Sequence, residues 1–145
     1  MNRHGIRPEL LRQGVSVEDL ASLRPFPDNP RLHADDVIQE SLAVHGQYKP
    51  IVCQAGTRFI LLGHGTADQA RELGWSHIAV LWLECDAVEA RQIVAVDNRS
   101  SDKASYDMGL LDRLLSPLAD AGALLGTGFG DEDLAGIRAF NDEPL

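Results

Sequence analysis

Between Gly46 and Gly74 the chain reads GQYKPIVCQAGTRFILLGHGTADQARELG, and this stretch leaves little freedom in how its neighbours can fold. Gly46 stops a helix. Pro50 to Cys53 and Phe59 to Leu62 are short apolar runs on either side of the turn Ala55-Gly56-Thr57, a pattern that predicts a β-hairpin. The second strand runs into Gly63-His64-Gly65, after which Thr66 is placed to cap a helix. That helix has Ala67, Ala70 and Leu73 on its buried side and stops at Gly74. A strand that feeds a glycine-rich loop and a helix N-terminus aims backbone N–H groups and the positive end of a dipole at one point, where anions bind. The stretch therefore predicts a phosphate or nucleotide pocket; a plain strand-to-helix turn is the alternative meaning of a single Gly-x-Gly.

The flanks supply elements that can close such a pocket. Leu23 to Arg31 carries three prolines, Pro25, Pro27 and Pro30, which remove donors and hold their predecessors extended, so it reads as a rigid loop. Ala34 to His45 has helical spacing and two aspartates in its first turn, matched to the dipole. His77 to Glu84 is a β-rich run. Asp86 and Glu89 form a capping-box-like start to a helix that runs toward Asp97-Asn98-Arg99. Beyond residue 103, Asp107 to Leu118 is leucine-striped with Pro117 limiting its end, Ala119 to Gly130 is small and glycine-rich, and Asp131 to Phe140 makes a last short helix. The expected architecture is α/β (α+β): a small mixed sheet from residues 15–20, 50–53, 58–62 and 77–83, packed with helices. A basic arm at 1–14, either mobile or loosely docked, precedes a domain at 15–103, and a helical extension follows at 104–145.

Charge narrows the function classes. Thirteen Lys and Arg against 22 Asp and Glu give a net charge of −9, a field that repels nucleic acid. Beyond Asp97 there are nine acidic residues and four basic ones, while the first 31 residues are locally basic. DNA is therefore expected only as a weak partner or through another protein. No run of about 18 apolar residues exists and the N-terminus lacks the apolar core of a signal peptide, so no membrane partner and a soluble, cytoplasmic protein are expected. Cys53 and Cys85 lie in apolar runs without a CxxC spacing, which suits core packing. The five histidines, at 4, 33, 45, 64 and 77, show neither HxxxH nor HExxH, so no transition metal is expected.

Asp28-Asn29-Pro30-Arg31, Gly46-x-x-x-Pro50-Ile51, Gly63-His64-Gly65 with Ala70, and Asp97-Asn98-Arg99 resemble, in that order, the motifs of ParB/sulfiredoxin-like domains. The resemblance covers roughly Leu20 to Arg99 and is closest to short ParB-like proteins of phages and mobile elements, whose tails carry stretches similar to Tyr106-Asp107 and Thr127-Gly128-Phe129. It implies a domain that binds a nucleoside triphosphate with Mg²⁺ and hydrolyses it slowly, in the cytoplasm, or the host cytoplasm if phage-encoded. In that scheme Gly46 and Lys49 frame the base side, beside Gln47 and Tyr48. Gly63, His64, Gly65 and Thr66 cradle phosphates, Arg31 clamps them, and Asn98 with Arg99 closes the site. His64 and Asn98 are the catalytic candidates, and Asp97 is the Mg²⁺ candidate.

Bland alternatives stand beside each role. Arg31 can pair with Asp28, Asp35 or Asp36 on the surface, His64 can merely shape its loop, and Asp97 can be an ordinary residue at a helix C-terminus. Many ParB-like relatives carry Arg where this chain has Thr66, which offers a hydroxyl but no charge. Sulfiredoxin chemistry needs a loop cysteine, absent here. No helix-turn-helix module follows, unlike the long chromosome-partitioning ParB proteins. The other function classes are a non-enzymatic adaptor or inhibitor that kept the fold, and a ParB-like DNA nuclease, for which Asp97 with Asp102 or Asp28 is the available carboxylate set. A small-molecule kinase on the same scaffold has no identifiable acceptor site. The leucine stripe is expected to pack in cis, with a homodimer or protein partner also using the C-terminal helices.

Overall fold

The structure is a computed structural model that describes residues 5–12, 14–30, 32 and 34–144. Arg31, singled out above, and His33 lie outside the described residues, as does most of the extreme N-terminus. The strands are β1 (Val15–Asp19), β2 (Arg24–Pro25), β3 (Ile51–Gln54), β4 (Phe59–Leu62) and β5 (His77–Leu83). The helices are α1 (Asp35–His45), α2 (His64–Glu72), α3 (Ala87–Lys103), α4 (Met108–Asp120) and α5 (Asp131–Asp142). The sheet order is β1-β5-β3-β4-β2. β1 with β5 and β3 with β4 run antiparallel, whereas β3 with β5 and β2 with β4 run parallel, so the sheet is mixed, as expected.

Alternation along the strands sends side chains to two faces. Ile51, Cys53, Ile60, Ile78 and Val80 pack under α1 and α2 through Leu42, Ala67 and Ala70. Leu61 points the other way, into a cluster with Phe26 and with Ala90 and Val94 of α3. The Cys53 side chain is fully buried, and burial pushes its thiol up from the usual 9.0 to about 12. Because the folded state then keeps a proton that the unfolded chain loses, this group's contribution to stability is complete below pH about 9 and is lost as pH rises toward about 12.

Several elements depart from the sequence expectation. The proline-rich loop contains a two-residue strand, Arg24–Pro25, because Arg24 N–H can bond Arg58 O at 3.0 Å at the sheet edge, where a proline costs no ladder bond. Leu20 leaves β1 for a 3-10 turn, Leu20–Ser22, capped by Asp19. Thr66 does not cap α2, which begins two residues earlier at His64 with Gly63 as its N-cap. α3 continues to Lys103, so Asp97, Asn98 and Arg99 lie inside it and Asp97 is not a helix C-terminal residue. Pro117 sits within α4 rather than ending it.

The N-terminal segment is docked, not loose, over its described part. Ile6 is 0% and Leu10 3% exposed, packed with Ala79. The backbone of Gln47 accepts from Arg7 N–H at 3.0 Å and donates to Gly5 O at 2.7 Å. The Gln47 side chain, itself 1% exposed, spans to β5: Ala79 N–H donates to its Oε1 at 2.8 Å, and its Nε2 donates to Ala79 O at 2.9 Å and Lys49 O at 3.1 Å. Residue 47 thus ties the N-terminal segment, the α1–β3 turn and β5 together.

In the extension, α4 and α5 pack through Leu111, Leu115, Leu134 and Ile137. Asp112 is held below the usual carboxylate range by the Ser116 hydroxyl and then by Arg138. The connecting loop seats on α1: Gly126 N–H donates to Glu40 Oε1 at 2.6 Å, and His45 Nε2 donates to Gly126 O at 3.0 Å.

Two outcomes follow from the buried amides and thiols. Gln47→Leu should lower unfolding free energy in urea by roughly 3 kcal/mol, because the Ala79 N–H and C=O would stay buried without their partner. In the native protein at pH 8 a thiol reagent should leave Cys53 unmodified until denaturant is added, while the half-buried Cys85 reacts first.

Candidate functional site

The strand-loop-helix corner forms as the glycine pattern demands. Gly63 has φ 95°, and a Cβ there would lie 2.5 Å from Ile51 Cγ2 and 2.8 Å from Ile51 Cβ, so the chain can pass β3 at this point only as glycine. The first bond inside the helix is Ala67 N–H to Gly63 O at 3.0 Å. The N–H groups of Gly65 and Thr66, just before it in the first turn, have no acceptor within their own helix.

That corner is one wall of a cavity of about 380 Å³, which Gly63, His64, Gly65 and Thr66 share with Asp97, Asn98 and Ser101 of α3. Asn29, Leu32, Ala34, Ile38 of α1 and Leu61 of β4 complete it. Asn98 Nδ2 donates to Asn29 Oδ1 at 3.4 Å, joining α3 to the proline-rich loop. His64 is 8% exposed, and its Nε2 accepts Phe26 N–H at 3.0 Å, so that nitrogen carries no proton and helps fix the loop.

A second cavity of about 220 Å³ adjoins the first, with Gly46, Tyr48 and Lys49 among its lining. Ile38 and Thr66 line both, so the two form one groove. Gly46 has φ 70° and ends α1, which turns the chain so that Tyr48 and Lys49 face the groove. Gln47 reaches the same cavity, but its amide is spent on Ala79 and Lys49, a structural task that its sequence placement beside the base side did not reveal.

The structure brings together Gly63, His64, Gly65, Thr66, Asp97 and Asn98, and next to them Gly46 and Lys49. It does not bring in Arg99, which is exposed and outside the lining of both cavities. Asp28 pairs with Arg91 at 2.9 Å. Asn29 and Ser101 are lining residues that sequence reasoning passed over. Asn29 stood inside a quoted motif without a role, and Ser101 is marked only by its position one helical turn after Asp97. Among the described residues no group of three or more His, Cys, Asp or Glu is arranged to hold a metal ion. Asp97 is the carboxylate in the first cavity's lining, and Mg²⁺ is often held by one carboxylate when phosphate oxygens supply the rest of its shell. The site therefore fits Mg²⁺ only together with a phosphate ligand.

The C-terminally truncated chromosome-partitioning protein ParB from Caulobacter crescentus, solved in complex with CTP-γ-S, superposes with a TM-score of 0.70 at 17% identity, over 90% of this chain and 80% of that one. This chain has a ParB-like fold. A Pnob8-like ParB-N domain also matches, with a TM-score of 0.52 at 16% identity over 74% of this chain and 44% of that one. No protein-family model and no curated protein matches the sequence.

The corner makes a quantitative expectation. Gly63→Ala should destabilise the protein in urea by at least about 2 kcal/mol, whereas Gly56→Ala should cost about 1 kcal/mol. Both glycines have positive φ, but a Cβ at Gly56 meets nothing within 4 Å.

Proposed function

We propose that the chain is a ParB-like nucleotide-binding domain whose groove holds a nucleoside triphosphate with Mg²⁺. The observation that carries the reading is the convergence of the α2 N-terminus at Gly63–Thr66 with Asp97 and Asn98 of α3 on one cavity, continuous with the turn at Gly46–Lys49. The CTP-γ-S in the structurally similar Caulobacter protein makes cytosine the first base to test. In this scheme the N–H groups of Gly65 and Thr66 bind phosphate oxygens, Asn98 orients them, and Asp97 shares the Mg²⁺. Lys49 and Gly46 border the base, and Arg31 is the candidate phosphate clamp that the family resemblance implies. Hydrolysis is slow, because Thr66 supplies no cation to a developing negative charge. A soluble phage or plasmid accessory role in DNA metabolism, with homodimerisation, completes the reading.

The adaptor reading is favoured by one specific feature. The Nε2 of His64 is already bonded to Phe26 N–H, which leaves a loop-shaping imidazole where turnover would use a proton carrier. The nuclease reading needs several carboxylates around a metal, and among the described residues none gather in that number.

Thermal unfolding with CTP, ATP, GTP and ADP, each with and without Mg²⁺, tests the proposal. At 100 times its dissociation constant a nucleotide adds about 2.7 kcal/mol, which raises the midpoint by several degrees. The expected result is a shift with one triphosphate, larger with Mg²⁺ and at least tenfold weaker in affinity for Asn98→Ala. No shift with any nucleotide would remove the proposal and leave the adaptor.

A further inference from the structure

We propose that the cleft between α1 and the loop at 122–131 is a docking site for a basic peptide segment of a partner protein. The segment would set an arginine or lysine among carboxylates and lay an apolar neighbour beside it. The cleft holds about 500 Å³, more than either part of the nucleotide groove, and meets the base-side part of that groove at Val37 of α1. Its lining mixes two chemistries. Asp36, Glu40 and Asp131 supply carboxylates, whereas Val37, Leu124 and Phe129 supply apolar wall, with Leu125 beside them 70% exposed. No Lys, Arg or His is among the lining residues.

The cleft is built, not incidental. Glu40 and His45 hold the N–H and C=O of Gly126, and Gly128, at φ 81°, approaches so close that a Cβ would lie 2.8 Å from Val37 Cγ1. The loop therefore has one seat on α1, and the cleft keeps its shape without an occupant.

Charge selects the occupant. Beyond residue 103 the chain has eight Asp or Glu and two Arg, so the local field attracts cations and repels nucleic acid. A free polyamine would answer the carboxylates and leave Leu125 and Phe129 wet. A basic side chain on a peptide answers both, since its stem and its neighbours cover apolar surface while its head meets the acids. This site does not depend on the nucleotide reading.

The test displays random dodecapeptides against the full chain and measures the affinity of the enriched sequences for four proteins. These are the parent, Asp36→Asn/Asp131→Asn, Leu125→Ala, and a control with the same charge change elsewhere, Asp142→Asn/Glu143→Gln. The expected result is enrichment of Arg or Lys next to Leu, Ile or Phe. Affinity should fall at least tenfold in Asp36→Asn/Asp131→Asn, fall severalfold in Leu125→Ala, and hold in the control, at equal melting temperatures. Leu125→Ala changes an exposed side chain, so it remains informative if the double variant folds poorly. No such enrichment, or equal loss in the control, overturns the proposal. Spermidine binding as tightly as the peptides would assign the cleft to a small polycation instead. Self-association abolished by Leu125→Ala would assign it to a second copy.

Discussion

A buried amide must find partners for all its polar atoms, and in this fold the amide that decides the layout is Gln47. Its side chain takes both the N–H and the C=O of Ala79 in the middle of β5, next to the Ile51–Val80 pairing where β3 begins. A glutamine side chain thereby acts as one more residue of a strand that has not yet started. Its own backbone pairs with Gly5 and Arg7, which brings Ile6 and Leu10 onto the sheet. Three segments distant in sequence are registered by one residue, and the direction in which the chain leaves α1 is set with them.

That direction determines what α1 can do. One side of the helix places Ile38 against the α2 corner and borders the turn that displays Tyr48 and Lys49. Glu40, Val44 and His45 grip the glycines of the C-terminal loop. α1 therefore has little conventional core of its own; among its residues only Leu42 is buried. It lies between the groove that holds the α2 N-terminus and the cleft lined by Asp36, Glu40 and Asp131, with Val37 on the wall of both. The opposite polarities follow from local sources: the N–H groups of the first turn of α2, which have no acceptor in their own helix, on one side, and side-chain carboxylates on the other.

Much of this was legible in the sequence. The hairpin, the Gly63 corner, the β-rich run of β5 and the helical spacing of the tail are all short-range signals, and short-range signals are what local composition and spacing record. The mixed sheet and the convergence of the Gly63 loop with Asn98 came from the ordered motifs, not from spacing alone. What spacing could not show was long-range. Nothing local marks Ile6 as a core residue, because its burial depends on Gln47, 41 positions away. Nothing marks Gln47 as structural, because a polar residue after a helix stop looks like a surface turn. Thr66 was the natural cap by residue type, yet the positive φ of Gly63 lets the helix begin three residues sooner. α3 runs past Asp97 because no proline or glycine stops it before Lys103, which turns the Asp-Asn-Arg triplet from a helix end into a helix face and carries Arg99 away from the groove.

The central claim is that the N–H groups at the start of α2 and the Asn98 face of α3 bind the phosphates of one ligand. The most direct measurement is a titration of the ¹⁵N-labelled protein with CTP and Mg²⁺, followed at the backbone amides of Gly63, Gly65, Thr66, Asn98 and Lys49. The account predicts saturable shifts concentrated at these five positions, with the Asn98 side-chain amide moving alongside them. Shifts confined to other surfaces, or no saturable change at Gly65 and Thr66, would contradict it.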